Sequence, residues 1–329
     1  MATIHDPVAG RRVPAAAPAI SPEPHRRDRS GVRRLGTIAI FLAPALVLFL
    51  LLVIAPILVA AYGSLFKWNG FGLPEQNVGL DNFTRALGDP IFQGDLWRAL
   101  VLITLSLVIQ LPVSLGLAML LNQPLRGRGV YRLLFFAPYV ISEVTTAVLF
   151  TLVFSPNRGF GETFSRWFGT EVGGAIFADP DTVLYALFLV ISWKYFGLHM
   201  ILYLAGRQGI PRELTEAATT DGANAWQTFR HVTLPLLGPT IRISIFLSVI
   251  GTIQLFDMVW VLTGGGPIHA SETMAVTMYQ YGFRRFEVGY ASAISIVMFL
   301  LSLVFALAYQ RFVLRRDTAG AITTAGVQR

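Results

Sequence analysis

Six long apolar stretches, interrupted by shorter polar segments, set the pattern along the chain. They lie near residues 35–66, 98–121, 131–154, 182–206, 236–263 and 289–313. A helix needs roughly 20 predominantly apolar residues to cross a hydrocarbon core, and each stretch meets that length. Pro44, Pro56, Pro112 and Pro138 fall within or at the ends of these runs. Membrane helices tolerate such breaks where neighbours satisfy the freed backbone groups. The pattern predicts an all-α, polytopic membrane protein, one bundle of about six transmembrane helices.

Composition agrees. Of 329 residues, 54% are hydrophobic and 14% charged, with mean hydropathy +0.58, whereas soluble chains carry about 25% charged residues. The net charge of +7 raises the possibility of nucleic acid, but the arginines sit beside apolar segments and the membrane accounts for them. Arg26, Arg27, Arg29, Arg33 and Arg34 precede the first stretch; Arg126, Arg128 and Arg132 fall in the second loop; Arg311, Arg315 and Arg316 follow the last. Cytoplasmic loops carry such an excess, so both termini and the loop at about 207–235 are assigned to the cytoplasm. Residues 1–34, rich in Pro, Ala and Arg, are read as a disordered basic cytoplasmic arm, 35–313 as the transmembrane domain, and 314–329 as a cytoplasmic tail.

Several chemistries are excluded. There is no cysteine, and the five histidines show no metal-ligand spacing. The two lysines, Lys67 and Lys194, lie in no phosphate-binding glycine loop. An intramembrane enzyme would need a catalytic pair or metal cluster, and His199 has no partner evident in the sequence. The chain is expected to bind no cofactor and to catalyse no reaction.

The cytoplasmic loop is the most informative segment. Pro211 suits the start of a helix, and Glu213 and Glu216 complement its dipole. Gly222 is placed to end it in a left-handed turn. A second short amphipathic stretch through Trp226 and Phe229 leads to Pro235. Ala217 and Ala218 leave one side narrow enough to enter a partner's cleft.

The run Glu216-Ala217-Ala218, then Gly222, then Val232-x-Leu234-Pro235 resembles the signature of permease subunits of bacterial ABC importers. With Asp221-Gly222-Ala223 and Leu262-Thr263-Gly264-Gly265-Gly266-Pro267 it resembles the carbohydrate branch, the maltose-transporter permease type. The likeness covers about residues 35–313. It implies that the loop is a coupling helix between the fourth and fifth spans. Glu216, Ala217, Ala218 and Gly222 would then contact a separate ATPase subunit, which holds ATP and Mg. It also implies a second permease subunit, an extracytoplasmic solute-binding protein, a sugar substrate and a bacterial cell membrane location. The loop through Gly264-Gly265-Gly266-Pro267 is a candidate docking surface for the binding protein, with a simple turn as the alternative.

Three charges within the apolar runs bear on a solute site: Glu143, Lys194 and Asp257. At about 1.5 Å per residue, Glu143, Lys194 and Ser248 each fall roughly 18 Å from the cytoplasmic end of an uninterrupted helix, near the midplane where transporters bind solutes. Asp257 is placed near the outer surface and given no binding role. By the resemblance, sugar contacts carry over to Tyr139, Glu143, Tyr195, Leu198, Ser248, Thr252 and Leu255; Trp193 joins them as an aromatic platform. The chain departs from the family pattern at several of these positions, so location carries over but sugar identity does not. Two readings of Glu143 and Lys194 stand at this point, a solute site or a buried ion pair locking two helices. The functional alternatives are an ABC permease for another polar solute, such as a polyol or glycerol phosphate, and a proton-coupled secondary transporter.

Overall fold

In the computed structural model, residues 30–154 and 176–314 are described. Most of the predicted arm, the tail from residue 315 and residues 155–175 therefore lie outside the described residues. The chain divides into two compact units, Met1–Ala55 and Pro56–Arg329. In the first, α1 (Ser30–Phe49) is apolar and its described side chains are exposed, the mark of a surface covered by lipid or another subunit.

The second unit carries everything that follows. After α2 (Ala55–Gly63) comes a two-residue antiparallel ribbon, Phe66–Lys67 against Gln76–Asn77. Short α3 (Asp81–Gly88) and α4 (Pro90–Leu105) follow. Asp89 caps α4 by accepting a hydrogen bond from the Ile91 N–H at 2.9 Å, with Pro90 in the first turn. Through a π turn α4 passes into α5 (Leu111–Leu121), giving a 32-residue span, Pro90–Leu121.

The third predicted stretch is not one helix. α6 (Arg128–Val140) and α7 (Glu143–Val153) meet at a 99° bend. Ile141 and Ser142 are extended, and Ser142 Oγ caps α7 by accepting from the Thr145 N–H. This corrects the depth assigned to Glu143, because a rise of 1.5 Å per residue cannot be carried through a break.

α8 (Val183–Gln208) is the central element, 26 residues long, burying Leu187, Val190, Lys194, His199, Met200 and Tyr203 among others. α6 lies against it so closely that a Cβ on Gly197 would stand 2.0 Å from the Phe135 carbonyl oxygen. The fifth stretch is also interrupted. Helical residues Ala225–Leu236 bend by 66° into α11 (Gly238–Ile253), which stops before α12 (Asp257–Leu262). The carbonyl freed at Leu255 accepts from Thr273 Oγ1 at 2.8 Å. α13 (Met274–Tyr279) and α14 (Val288–Tyr309) complete the unit.

Four described helices are thus long and apolar enough to cross a membrane, and six if each bent pair is one span. Three apolar clusters hold the unit. One joins α4, α11 and α14 around Phe92, Tyr290 and Ile294; one joins α8 and α12 around Leu187 and Met258; one joins α5 and α8 around Ala118 and Tyr203.

Candidate functional site

The broken third span sets the chemistry of the site. A helix that stops inside the bundle leaves carbonyls without intrahelical partners and a partial negative charge. The Lys194 ammonium donates to the carbonyls of Tyr139, at 3.4 Å, and Ile141. The sequence offered a solute contact or an ion pair with Glu143. The structure gives the ammonium backbone partners at the end of α6, and among the described residues no salt bridge joins Lys194 to Glu143. Glu143 instead accepts a hydrogen bond from the Tyr195 hydroxyl.

Beside this break lies a cavity of about 440 Å³ between α4, α7, α8, α11 and α12, within the roughly 300–1,000 Å³ of small-molecule sites. Its walls include Tyr139, Glu143, Tyr195, Leu198, Ser248, Thr252 and Leu255, seven candidates from three stretches. Tyr139 and Tyr195 pack edge to face at 6.0 Å. Thr252 Oγ1 is turned back onto the Ser248 carbonyl at 2.9 Å. The eighth candidate, Trp193, stands outside the cavity and packs edge-on against Phe150 at 5.1 Å. One residue from Lys194 and two from Tyr195, it occupies another face of α8 because successive helical residues point about 100° apart. Its predicted platform role is not supported.

Sequence reasoning missed several polar wall residues, Gln254 among them. Ser106 and Gln110 are buried in the second span, where Ser106 Oγ donates to Gln110 Oε1 at 2.5 Å and meets Ser248 Oγ at 2.7 Å. Their signal was available: two polar residues at i and i+4 in an apolar run share one helix face. His199 lines the same wall with its Nδ1 buried and without a hydrogen-bond partner. Asp257, given no role from the sequence, also lines the cavity. The break before α12 returns the chain to the cavity, so counting residues outward from Leu236 misplaces it.

The second candidate region is the loop at about 207–235. α9 (Arg212–Thr220) begins after extended Pro211 and ends where Gly222 takes φ +87°. Gly222 N–H donates to Thr219 O at 3.1 Å and Ala223 N–H to Ala218 O at 2.9 Å, the paired bonds of a Schellman turn. Asn224 and Gln227 form a reciprocal capping box that starts α10 (Ala225–Thr228). The loop is therefore two short helices set by their caps. Glu216, Ala217 and Gly222 are exposed and Ala218 is half-buried, and nothing lies within 4 Å of a Cβ built on Gly222.

Elsewhere in the unit, a buried polar cluster ties α4 to α13 and the segment before it. Asp95 accepts from Arg98 and from Thr277 Oγ1, both at 2.5 Å; the same Thr277 hydroxyl lies 3.0 Å from Glu272 Oε1. His269 Nδ1 bonds the other Glu272 oxygen, and Arg98 Nε donates to the Glu272 carbonyl at 2.8 Å. Nearby, Arg85 pairs with Glu287 at 2.5 Å and lies 4.0 Å over the Tyr290 ring. Burial first, then the neighbouring Asp89 carboxylate, pushes the Tyr281 phenol above its ordinary value, although Arg285 and Arg85 pull it down. Among the described residues no group of three His, Cys, Asp or Glu side chains could hold a metal ion.

Comparison with known proteins decides the family. Residues 110–318 match the family described as binding-protein-dependent transport system inner membrane component. The chain belongs to this family. The permease resembles the sulfoquinovosyl glycerol transport system permease protein SmoG of Agrobacterium fabrum, 33% identical over 279 residues, with 84% of this chain and 90% of that protein aligned. It resembles to the same degree the lactose transport system permease protein LacF of Rhizobium radiobacter, 33% identical over 288 residues and covering 84% and 93% of the two chains. Its fold matches the crystal structure of a bacterial ABC transporter involved in the import of the acidic polysaccharide alginate. There the TM-score is 0.75 at 23% identity, over 87% of this permease and 98% of that chain. The permease is thus a polytopic inner-membrane transport component.

Proposed function

We propose that this permease is one of two membrane subunits of an ATP-driven importer for a sugar or oligosaccharide, working by alternating access. The observation that carries the proposal is the cavity at the break of the third span, whose largely apolar wall carries hydroxyls, amides and aromatic rings. Discontinuous helices near mid-bilayer are where transporters place their solute. The hydroxyls and amide of Ser106, Ser248 and Gln110 and the rings of Tyr139 and Tyr195 suit a polyhydroxylated ring. The names of the lactose and sulfoquinovosyl glycerol relatives support the sugar class.

In this reading α9 is the coupling helix, with Glu216, Ala217, Ala218 and Gly222 against the ATPase. ATP and Mg belong to that partner, and this chain supplies no catalysis and binds no cofactor. Driving a two-state equilibrium from 1:99 to 99:1 takes about 5.5 kcal/mol, which the partners must provide. The remaining partners are a second permease and an extracytoplasmic solute-binding protein, which docks near Gly264–Pro267. Both termini face the cytoplasm, the side carrying the arginine excess.

The test is co-purification of the tagged permease from its native membrane, with ATPase activity and sugar uptake measured on the recovered complex. The proposal predicts an ATPase and a second permease in the complex, with turnover coupled to uptake. A permease that purifies alone, or a complex that transports no sugar from a broad panel, overturns it.

A further inference from the structure

The charge of the cavity bears on its solute, an argument that rests on the sugar-permease reading. Kinship leaves this open, since relatives of equal identity are named for lactose and for sulfoquinovosyl glycerol. Counted along the sequence, the site holds a cation, Lys194, facing Glu143, while Asp257 lies elsewhere. The structure exchanges the two. Lys194 is 3% exposed, donates to the carbonyls of Tyr139 and Ile141, and is not among the lining residues. Asp257 joins Glu143 on the wall, and its exposed carboxylate takes no hydrogen bond from any described residue.

The lining residues therefore include two carboxylates and neither a lysine nor an arginine. The remaining polar groups are neutral hydroxyls and amides, together with His199, which is 3% exposed and whose Nδ1 lacks a partner. The Lys194 ammonium, 5.6 Å from the Tyr195 ring centroid, acts on Glu143 from behind the wall and offsets part of its charge. Asp257 has no such cation among the lining residues, so an anionic solute meets a wall that is net negative, a contact that disfavours it. We infer that this cavity is a charge filter: it admits neutral or amino-bearing sugars and rejects uronic, sulfonated and phosphorylated ones, with Glu143 and Asp257 as the discriminating residues.

The test is direct binding to the purified permease–ATPase complex without solute-binding protein, so that no other selectivity enters. Three disaccharide probes are compared by saturation-transfer NMR at millimolar concentration: lactose, fully deacetylated chitobiose and digalacturonate. Lactose and the amino sugar are expected to bind at least tenfold more tightly than digalacturonate. Glu143→Gln with Asp257→Asn is expected to bring digalacturonate within about threefold of lactose. Should Glu143→Gln not reach the membrane, Asp257→Asn alone is expected to narrow the gap about threefold, since Asp257 holds no hydrogen bond that folding depends on. Equal binding of digalacturonate and lactose by the unaltered complex, or a gap that the variants leave unchanged, overturns the charge filter. A complex that assembles yet binds none of the three sugars instead overturns the sugar reading beneath it.

Discussion

Replacing Gly197 by alanine tests whether close contact between α6 and α8 holds the site together. The added methyl would lie 2.0 Å from the Phe135 carbonyl oxygen, 2.8 Å from its carbon and 3.0 Å from the Phe136 Cα. Ordinary contact begins near 3.4 Å, so the α6 backbone must retreat by about 1.4 Å. The obstacle is main chain, with no rotamer to yield. Overpacking typically costs about 1–3 kcal/mol, and this case belongs at the upper end. Alanine's better helix propensity returns no more than about 1 kcal/mol. The retreat also pulls the carbonyls of Tyr139 and Ile141 away from Lys194, because all three are fixed to the same two helices. Gly116→Ala is the control: it is also helical, with nothing within 4 Å of its Cβ. The assay is the fraction of detergent-solubilised complex remaining monodisperse after graded heating, with sugar uptake measured in parallel. Gly197→Ala is expected to lose several degrees of stability and most uptake, and Gly116→Ala to lose neither. Equal heat resistance of the two variants would refute the packing argument.

Four further outcomes follow from the same geometry. Lys194→Met leaves the buried carbonyls at the end of α6 without their donor, a penalty of about 1–3 kcal/mol. Membrane yield and uptake should both fall, and unimpaired uptake would show that the cap is dispensable. Gly222→Trp places a large side chain in open space at a left-handed φ of +87°. It should abolish coupled ATPase and uptake while membrane levels by immunoblot stay normal; normal uptake would remove α9 from the coupling role. Thr277→Val removes the hydroxyl shared by Asp95 and Glu272 and is expected to lower the midpoint of heat inactivation, by about 1–3 kcal/mol of lost stability. Tyr195→Phe withdraws the donor from Glu143; sugar selectivity should change at unchanged membrane yield, and an unchanged sugar profile would take this pair out of the site.

Much was legible in the sequence because the signals are local. The length and apolarity of the spans follow from bilayer thickness. Pro211, Gly222 and the Asn224–Gln227 pair define α9 and α10 within 17 residues, since caps act over a single turn. Seven of eight proposed solute residues reached one cavity because their spacing came through a family resemblance, which carries tertiary information. Trp193 was proposed on aromatic character instead, and it faces Phe150.

What the sequence could not settle were the partners of its charged groups. A periodic apolar run says that a segment is helical and submerged, because hydrophobicity depends only on the residues themselves. It does not reveal that the third stretch stops at Ile141 and turns by 99°, since the exposed carbonyls that such a stop creates are tolerable only if another helix supplies a donor. Lys194, far along the chain, supplies it. The tertiary structure thus decided that the lysine serves the backbone and that Asp257, with Glu143, sets the charge of the wall. The physical reason is general: the cost of a buried charge is fixed by what lies within a few ångströms in space, whereas the cost of an apolar run in water is fixed by its own surface.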